Sequence, residues 1–265
     1  MQQAQDFRDE SAALAALVAP LADADFERET LFKSWTINNV LRHLHVWNIA
    51  AARSIEGDDA FGAFIKQLMG GERGRRFTEY EHDYLEGLSG HRLLDAWVSG
   101  FDELAAAFAA TDPKARLKWV GPDMSALSSV TARLMETWAH AQAVYDLLGV
   151  DRVDSDRIGN IVRLGVNTYG WTFKNRKEDA PGPMPRLRLT APSGAIWEYG
   201  PGEGGSEDLI EGRATEFCQV VTQCRNIADT GLALHGPVAT RWMAIAQCFA
   251  GPPNDPPLPG ARRRN

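Results

Sequence analysis

From its N-terminus to about Gly149 the chain repeats apolar side chains at spacings of three and four and has almost no alternating stretch. That period is one face of an α-helix, so this part of the chain has to bury its apolar surface by packing helix on helix. Four or five helices are implied. The first runs from near Asp6 to Leu21. The second begins at Thr36, whose hydroxyl suits an N-cap, and continues toward Ile55. A short helix covers Ala60 to Met69, and Gly70 to Arg76 reads as a loop in a more polar stretch. A third long helix spans His91 to Ala110 before Asp112-Pro113 stops it, and the fourth runs from Ser125 or Ala126 to Gly149, a glycine suited to closing a helix. Such a series forms a bundle, in which facing helices bring distant residues into one core.

Beyond Gly149 the pattern changes. Asp156 to Trp171 reads as one more helix, Pro181-Gly182-Pro183 interrupts, and Leu187-Arg188-Leu189-Thr190 alternates as a strand does. Ser193-Gly194 turns the chain into a partner strand, Ile196 to Tyr199, and Leu209-Ile210-Glu211 is a third. Gly200 to Gly205 reads as a loop between strands and not as a phosphate cradle. Ala214 to Arg225 and Val238 to Phe249 are amphipathic helices. The expected division is a helical bundle over 1–150, a small α+β domain over 151–253, and a flexible tail over 254–265. That tail ends in Arg262-Arg263-Arg264 and has few apolar side chains to bury, so it is expected to be disordered or to lie on the surface.

Composition excludes several classes of function. With 265 residues and 44% hydrophobic side chains the chain can bury a core without staples. Its three cysteines, Cys218, Cys224 and Cys248, are odd in number and lack paired spacing, which argues against disulfides or a cysteine zinc site and for a cytoplasmic setting. Cys218 and Cys224 stand six apart and read as buried apolar residues. The N-terminus has no signal-peptide pattern, and no run approaches the roughly 20 apolar residues of a membrane helix. A net charge of −7 disfavours a nucleic-acid partner. Fingerprints of serine hydrolases, phosphate-binding loops and dinucleotide folds are missing. A small-molecule substrate fits better, on a monomer or homodimer.

Glu136 and His140 stand four apart in Thr131 to His140 and so project from one helix face. Leu134, Met135, Trp138 and Ala141 make this helix apolar over much of its circumference, which turns the pair inward, where a carboxylate needs compensation. A metal would supply it; so would Arg133, a buried hydrogen-bond network, or the Glu–His ion pair alone. The best candidate for a third ligand is His43, on the earlier helix. His45 lies about 200° around that helix and is not able to share one metal with it. Asn39 and Trp47 share the His43 face, and with Trp138 they are candidate pocket lining. His82, His91 and His235 have no ligand-spaced partner. Two nitrogens and one oxygen would leave a divalent metal with an open position, the usual form of a catalytic site.

The segment Ser34-Trp35-Thr36-Ile37-Asn38-Asn39-Val40-Leu41-Arg42-His43-Leu44 resembles the Gly-Trp-Thr-x-x-Asp-x-x-x-His-Leu helix of the DinB-like superfamily that includes mycothiol-dependent maleylpyruvate isomerase. Ala132 to His140 is similar to that superfamily's second metal helix, and the following domain to its small C-terminal domain. Gly121-Pro122, Met124-Ser125, Arg133 to His140 and Phe217 to Pro253 resemble most an uncharacterised metal-binding branch, and the C-terminal part is also similar to a domain associated with wyosine-base formation. The resemblance implies a DinB-like four-helix bundle followed by a small α+β domain. It implies His43, Glu136 and His140 as ligands of a divalent metal, commonly zinc, with water completing the shell.

The same resemblance implies a low-molecular-weight thiol such as mycothiol, held as thiolate on the metal, which adds to a small organic acid or thioester and isomerises it or is transferred to it. Arg225, near the position of a family arginine, would bind a substrate carboxylate or a group of the thiol. Ser34 departs from the motif's glycine, Asn39 from its aspartate, and Asn48 also lacks a charge. With a neutral Asn39 behind it, His43 is expected to be less firmly oriented than with a carboxylate partner. Two other functions compete with a thiol-dependent isomerase or S-transferase. One is a metal-assisted hydrolase; the other is a non-catalytic, metal-stabilised ligand-binding protein.

Overall fold

In the computed structural model, which describes residues 1–70, 74–201 and 207–262, the helical period of the first part is realised as six α-helices among the described residues. They are α1 (Gln2–Val18), α2 (Ile37–Glu56), α3 (Asp58–Leu68), α4 (Phe77–Tyr84), α5 (Gly90–Ala110) and α6 (Ala126–Leu148). α1 begins earlier than the sequence suggests and stops before Pro20, which has no amide to extend the ladder. Thr36 caps α2 as expected, in a reciprocal box with Asn39. Gly149 closes α6 at φ 68°. The start of α5 is capped from outside: Asp23, in a short 3-10 turn over Asp23–Glu27, accepts the amide of His91 at 2.9 Å.

The four long helices close a ring in which α1 packs on α5, α5 on α2, α2 on α6 and α6 on α1. Phe7 and Leu14 of α1, Leu41 and Leu44 of α2, Trp97 and Phe108 of α5, and Leu134 and Trp138 of α6 are fully buried between them. Each such side chain contributes about 1.5–3 kcal/mol by leaving water. A second apolar cluster fastens α3 and α4 to the neighbouring side of α2. There Phe61, Phe64, Leu68 and Tyr80 pack on Val46, Trp47 and Ala50. Sequence reading leaves α4 as polar connection, since Phe77-Thr78-Glu79-Tyr80-Glu81-His82-Asp83-Tyr84 has no sustained apolar stripe; tertiary packing of Tyr80 makes it a helix. Between α5 and α6 a two-residue antiparallel pair, β1 (Arg116–Leu117) and β2 (Met124–Ser125), closes the unit, which spans Met1–Gly149.

The second unit, Val150–Asn265, carries a sheet. After a 3-10 turn over Asp156–Ile158 come α7 (Gly159–Asn167), α8 (Tyr169–Asn175), β3 (Arg186–Thr190), β4 (Ile196–Tyr199), β5 (Leu209–Arg213), α9 (Ala214–Val221), β6 (Ala233–His235) and α10 (Pro237–Ile245). Strand order is β4-β3-β5-β6. β3 pairs antiparallel with β4, parallel with β5 (Leu187 opposite Ile210), and β5 pairs antiparallel with β6. Leu187, Leu189 and Ile210 are buried on one face, while Arg186 and Arg188 are exposed on the other. The single helix expected over Asp156 to Trp171 is broken at Thr168, whose hydroxyl bonds back to the Leu164 carbonyl at 2.8 Å. α7 lies so close to α9 at Gly165 that an added Cβ would come within 2.9 Å of Phe217. Helices α9 and α10 stop earlier than expected, α9 before Gln223 at φ 57°.

The three cysteines are free and buried. The expectation of a flexible tail from residue 254 gives way to a tethered one as far as it is described. Asn254 donates to Gln223 at 2.6 Å, Asn226 donates to the Pro257 carbonyl, and the Gly260 amide reaches Asp229. The chain there lies on the surface, and hydrogen bonds replace the apolar anchors it lacks. Most of the Gly200 to Gly205 loop, part of the Gly70 to Arg76 loop, and Arg263 and Arg264 lie outside the described residues. No helix among the described residues is long and apolar enough to cross a membrane.

Candidate metal centre

The capping box at Thr36 fixes where α2 begins, and His43 follows Asn39 by one turn. α6 supplies Glu136 and His140, also one turn apart, and α2 packs against α6. His140 Nε2 is 3.2 Å and His43 Nε2 3.8 Å from Glu136 Oε2. The two imidazoles meet edge to face with centroids 4.8 Å apart. One ligand atom from each of His43, Glu136 and His140 falls within 4.8 Å of the others. His45 is turned away, toward α5, where a Cβ on Gly100 would touch its ring at 2.9 Å.

Behind His43 stands a residue that the sequence does not single out. Glu81 of α4 is wholly buried and takes two hydrogen bonds on one oxygen, from His43 Nδ1 at 2.7 Å and from Trp47 Nε1 at 3.1 Å. The expectation that His43 lacks a carboxylate partner is corrected here. Asn39 does not face His43 Nδ1; its Oδ1 accepts from the Thr36 amide and hydroxyl, so it is a helix cap. Asn39 also lines an open, polar cleft of about 1040 Å³ with Trp35, Arg42, Arg75 and Thr78. Asn48, the other neutral residue, accepts from Arg133 Nε at 3.1 Å and anchors that buried guanidinium.

Aromatic rings close the cluster. Trp35 stacks on His140 with centroids 5.4 Å apart and an interplanar angle of 7°, and it tilts against His43 at 5.1 Å. Phe32 packs edge-on against both Trp35 and His140. The turn that presents Trp35 requires the left-handed conformation at Lys33 (φ 52°) and Ser34 (φ 54°), which explains why a glycine suits the position Ser34 holds. Of the expected lining residues, Trp47 touches the site through Glu81. Trp138, two residues before His140 on α6, is fully buried. Arg225 lies in the second unit just after α9, buried, with its guanidinium donating to the Cys224 carbonyl at 3.0 Å.

The electrostatics follow from enclosing this many ionisable groups. Burial disfavours charge on His43, but Glu81 and Glu136 outweigh it and push the imidazole up to about 9. Burial likewise opposes the charge of Glu136, yet His140 and His43 hold it well below the usual carboxylate range. His140 is pushed down by burial and by the His43 charge, against the pull of Glu136. Arg133 is lowered to about 10 by burial, with Glu136 and Glu81 opposing. The cluster therefore holds positive charge against its carboxylates. A divalent cation suits the donor set: ligands of a tetrahedral zinc about 2.1 Å from the ion stand roughly 3.4 Å apart, and the two histidine–glutamate distances are 3.2 and 3.8 Å, with all three ligand atoms within 4.8 Å of one another.

A four-helix bundle whose facing helices converge two histidines and a carboxylate, with a small α+β unit following, defines a class of protein. The chain belongs to the family described as the mycothiol maleylpyruvate isomerase N-terminal domain, whose model matches residues 7–145. Uncharacterised proteins of two Mycobacterium tuberculosis strains are 36% identical to it over 249 residues, covering 94% of this chain and 95% of theirs. Crystal structures of the mycothiol-dependent maleylpyruvate isomerase and of a histidine-to-alanine mutant of it align with TM-scores of 0.53 and 0.54 at 17% identity, covering 83% of this chain and 87% of those. At that identity the likeness is one of fold.

Proposed function

We propose that His43, Glu136 and His140 hold a divalent metal, zinc by their donor set, and that the chain is a thiol-dependent isomerase or S-transferase acting on a small organic acid or thioester. The observation that carries this reading is the convergence of the three ligand atoms within 4.8 Å inside the bundle. Solved proteins of the same fold named as mycothiol-dependent maleylpyruvate isomerases support a thiol such as mycothiol as co-substrate. Bound there, the metal supplies the Lewis acidity that keeps a thiol deprotonated at neutral pH.

The chain's own residues do the rest. Glu136 contributes the negative charge of the ligand set, and His43 and His140 orient their Nε2 atoms toward it. Trp35 and Phe32 form an apolar wall over His140 that excludes water from one side of the cluster and strengthens every charge interaction within it. Asn39, Arg42 and Thr78 line an open polar cleft that shares Trp35 with the cluster. Arg225, in the second unit, already donates to the Cys224 carbonyl, so a carboxylate bound by it would share the donors of its guanidinium.

Metal analysis of protein purified without added zinc tests the metal. About one equivalent in the wild type, lost in His43→Ala and His140→Ala, is expected; sub-stoichiometric metal unchanged by both substitutions would refute it. Assay of activated acyl and unsaturated acid substrates with and without mycothiol tests the thiol, since turnover that ignores the thiol identifies a hydrolase instead.

A further inference from the structure

We infer that Glu81 is the positioning residue of the metal site: a buried carboxylate on a helix outside the four-helix ring that fixes which nitrogen of His43 faces the cluster and how its ring is turned. The inference rests on the metal reading above. An indole N–H can only donate, so Glu81 Oε1 is the acceptor of Trp47 at 3.1 Å, and the 2.7 Å contact with His43 Nδ1 is on the same atom. His43 and Trp47 are one turn apart on α2, so a single oxygen is gripped by two successive turns of the helix that carries the ligand. With Nδ1 donating to Glu81, Nε2 is the nitrogen whose proton a metal ion would displace and whose lone pair it would take, and it is the one 3.8 Å from Glu136.

Two further features separate this role from ordinary core satisfaction. Glu81 Oε2 is buried without a hydrogen-bond partner, so the carboxylate depends on the donors at Oε1 and on positive charge nearby to remain in the interior. Arg42 and Arg133, themselves buried, both interact with it through their charges. The helix is also held for this purpose: Tyr80, its neighbour in sequence, is locked into the apolar cluster of Phe61, Phe64 and Leu68. A metal-ligating histidine whose second nitrogen meets a carboxylate is held in one tautomer and is a stronger donor to the ion.

The test is zinc affinity of the full-length protein by competition with a chromogenic chelator, together with the visible absorption of the cobalt-loaded form. Glu81→Gln is expected to weaken zinc binding roughly 10- to 100-fold and to shift the cobalt bands. Glu103→Gln, exposed on α5 where it accepts from Ser99, is expected to leave both unchanged. Wild-type zinc affinity and an unshifted cobalt spectrum in Glu81→Gln, in a background where His43→Ala has lost the metal, would overturn the positioning role and leave the metal site standing. Wild-type affinity in His43→Ala would instead overturn the metal reading, and this one with it. Should Glu81→Gln fail to fold, imidazole NMR of the zinc-loaded wild type decides. A hydrogen-bonded proton on His43 Nδ1 supports the role, and its absence overturns it.

Discussion

The second unit encloses Gln223 and Gln247 and satisfies them mostly on main chain, with the Asn254 side chain donating to Gln223. Gln223 donates to the Ala246 and Asn254 carbonyls, and Gln247 to those of Phe249 and Pro252. The first unit encloses Glu81, Arg133, Glu136, His43 and His140 and turns them largely on one another. Among the described residues, buried side-chain polar atoms without a partner are Ser11, His45, Asn48, Glu81, Trp97, Thr137 and Gln142 in the first unit against Arg176 in the second. Buried polar groups that end on main chain tie loops in place. Of the groups that face one another in the first unit, Glu81 alone is left incompletely satisfied, through its acceptor Oε2, and functional sites are where proteins tolerate that cost.

The comparison breaks most sharply at Glu136. Glu136→Gln is expected to lower zinc affinity at least roughly 100-fold, because it removes the anionic ligand itself and not an outer partner. Glu103→Gln, exposed on α5 beside Ser99, should leave metal content unchanged, and equal metal in the two variants would count against the site. The converse substitution is Gln223→Ala in the second unit. Losing its bonds to two carbonyls and to Asn254 should cost about 1–3 kcal/mol in urea unfolding while zinc affinity stays at the wild-type value. A change in zinc affinity there would mean that the two units do not divide the roles as described.

A smaller effect sharpens the first unit's side of the comparison. Ser34→Gly relieves a left-handed residue in the turn that presents Trp35, and a gain of up to about 1 kcal/mol is expected by chemical denaturation, with metal affinity retained.

The least effect concerns the cap of α5. The His91 imidazole is raised by its hydrogen bond to Asp23, and Asp23 is lowered by its bonds to the His91 amide and ring. The His91 contribution is therefore full below its unfolded value near 6.5 and fades as pH rises through the raised one. That of Asp23 is full above about 4 and fades as pH falls through the lowered one. Melting temperature followed from pH 4 to 8 should show a shallow advantage of wild type over Asp23→Asn that is greatest between about 4 and 6.5.

The helical half, the change of character after Gly149, the cap at Thr36 and the closing glycine of α6 were legible because each is a local rule, written in residues within a turn or two of one another. The i, i+4 pair Glu136 and His140 was legible for the same reason, and the choice of His43 over His45 came from helix rotation together with family resemblance. Trp138 was not decided by sequence, because an aromatic on an apolar helix face reads the same whether it lines a cleft or fills the core. Thr168 broke a helix whose period continued through it, since a side-chain hydroxyl competing for a carbonyl leaves no mark on apolar spacing.

By itself, then, the sequence determined that this chain is a helical bundle followed by a small α+β unit, and that two of its helices carry metal-ligand types at ligand spacing. Periodicity and chain geometry are enough for that. Only the tertiary structure decided what stands behind His43. Asn39, four residues away on the same helix, was the local choice, but its side chain closes the cap. Glu81 reaches the imidazole from 38 residues further along because Tyr80 docks α4 on the apolar cluster beside α2. No local pattern encodes a contact made by packing two surfaces together, and that contact sets the orientation of the site.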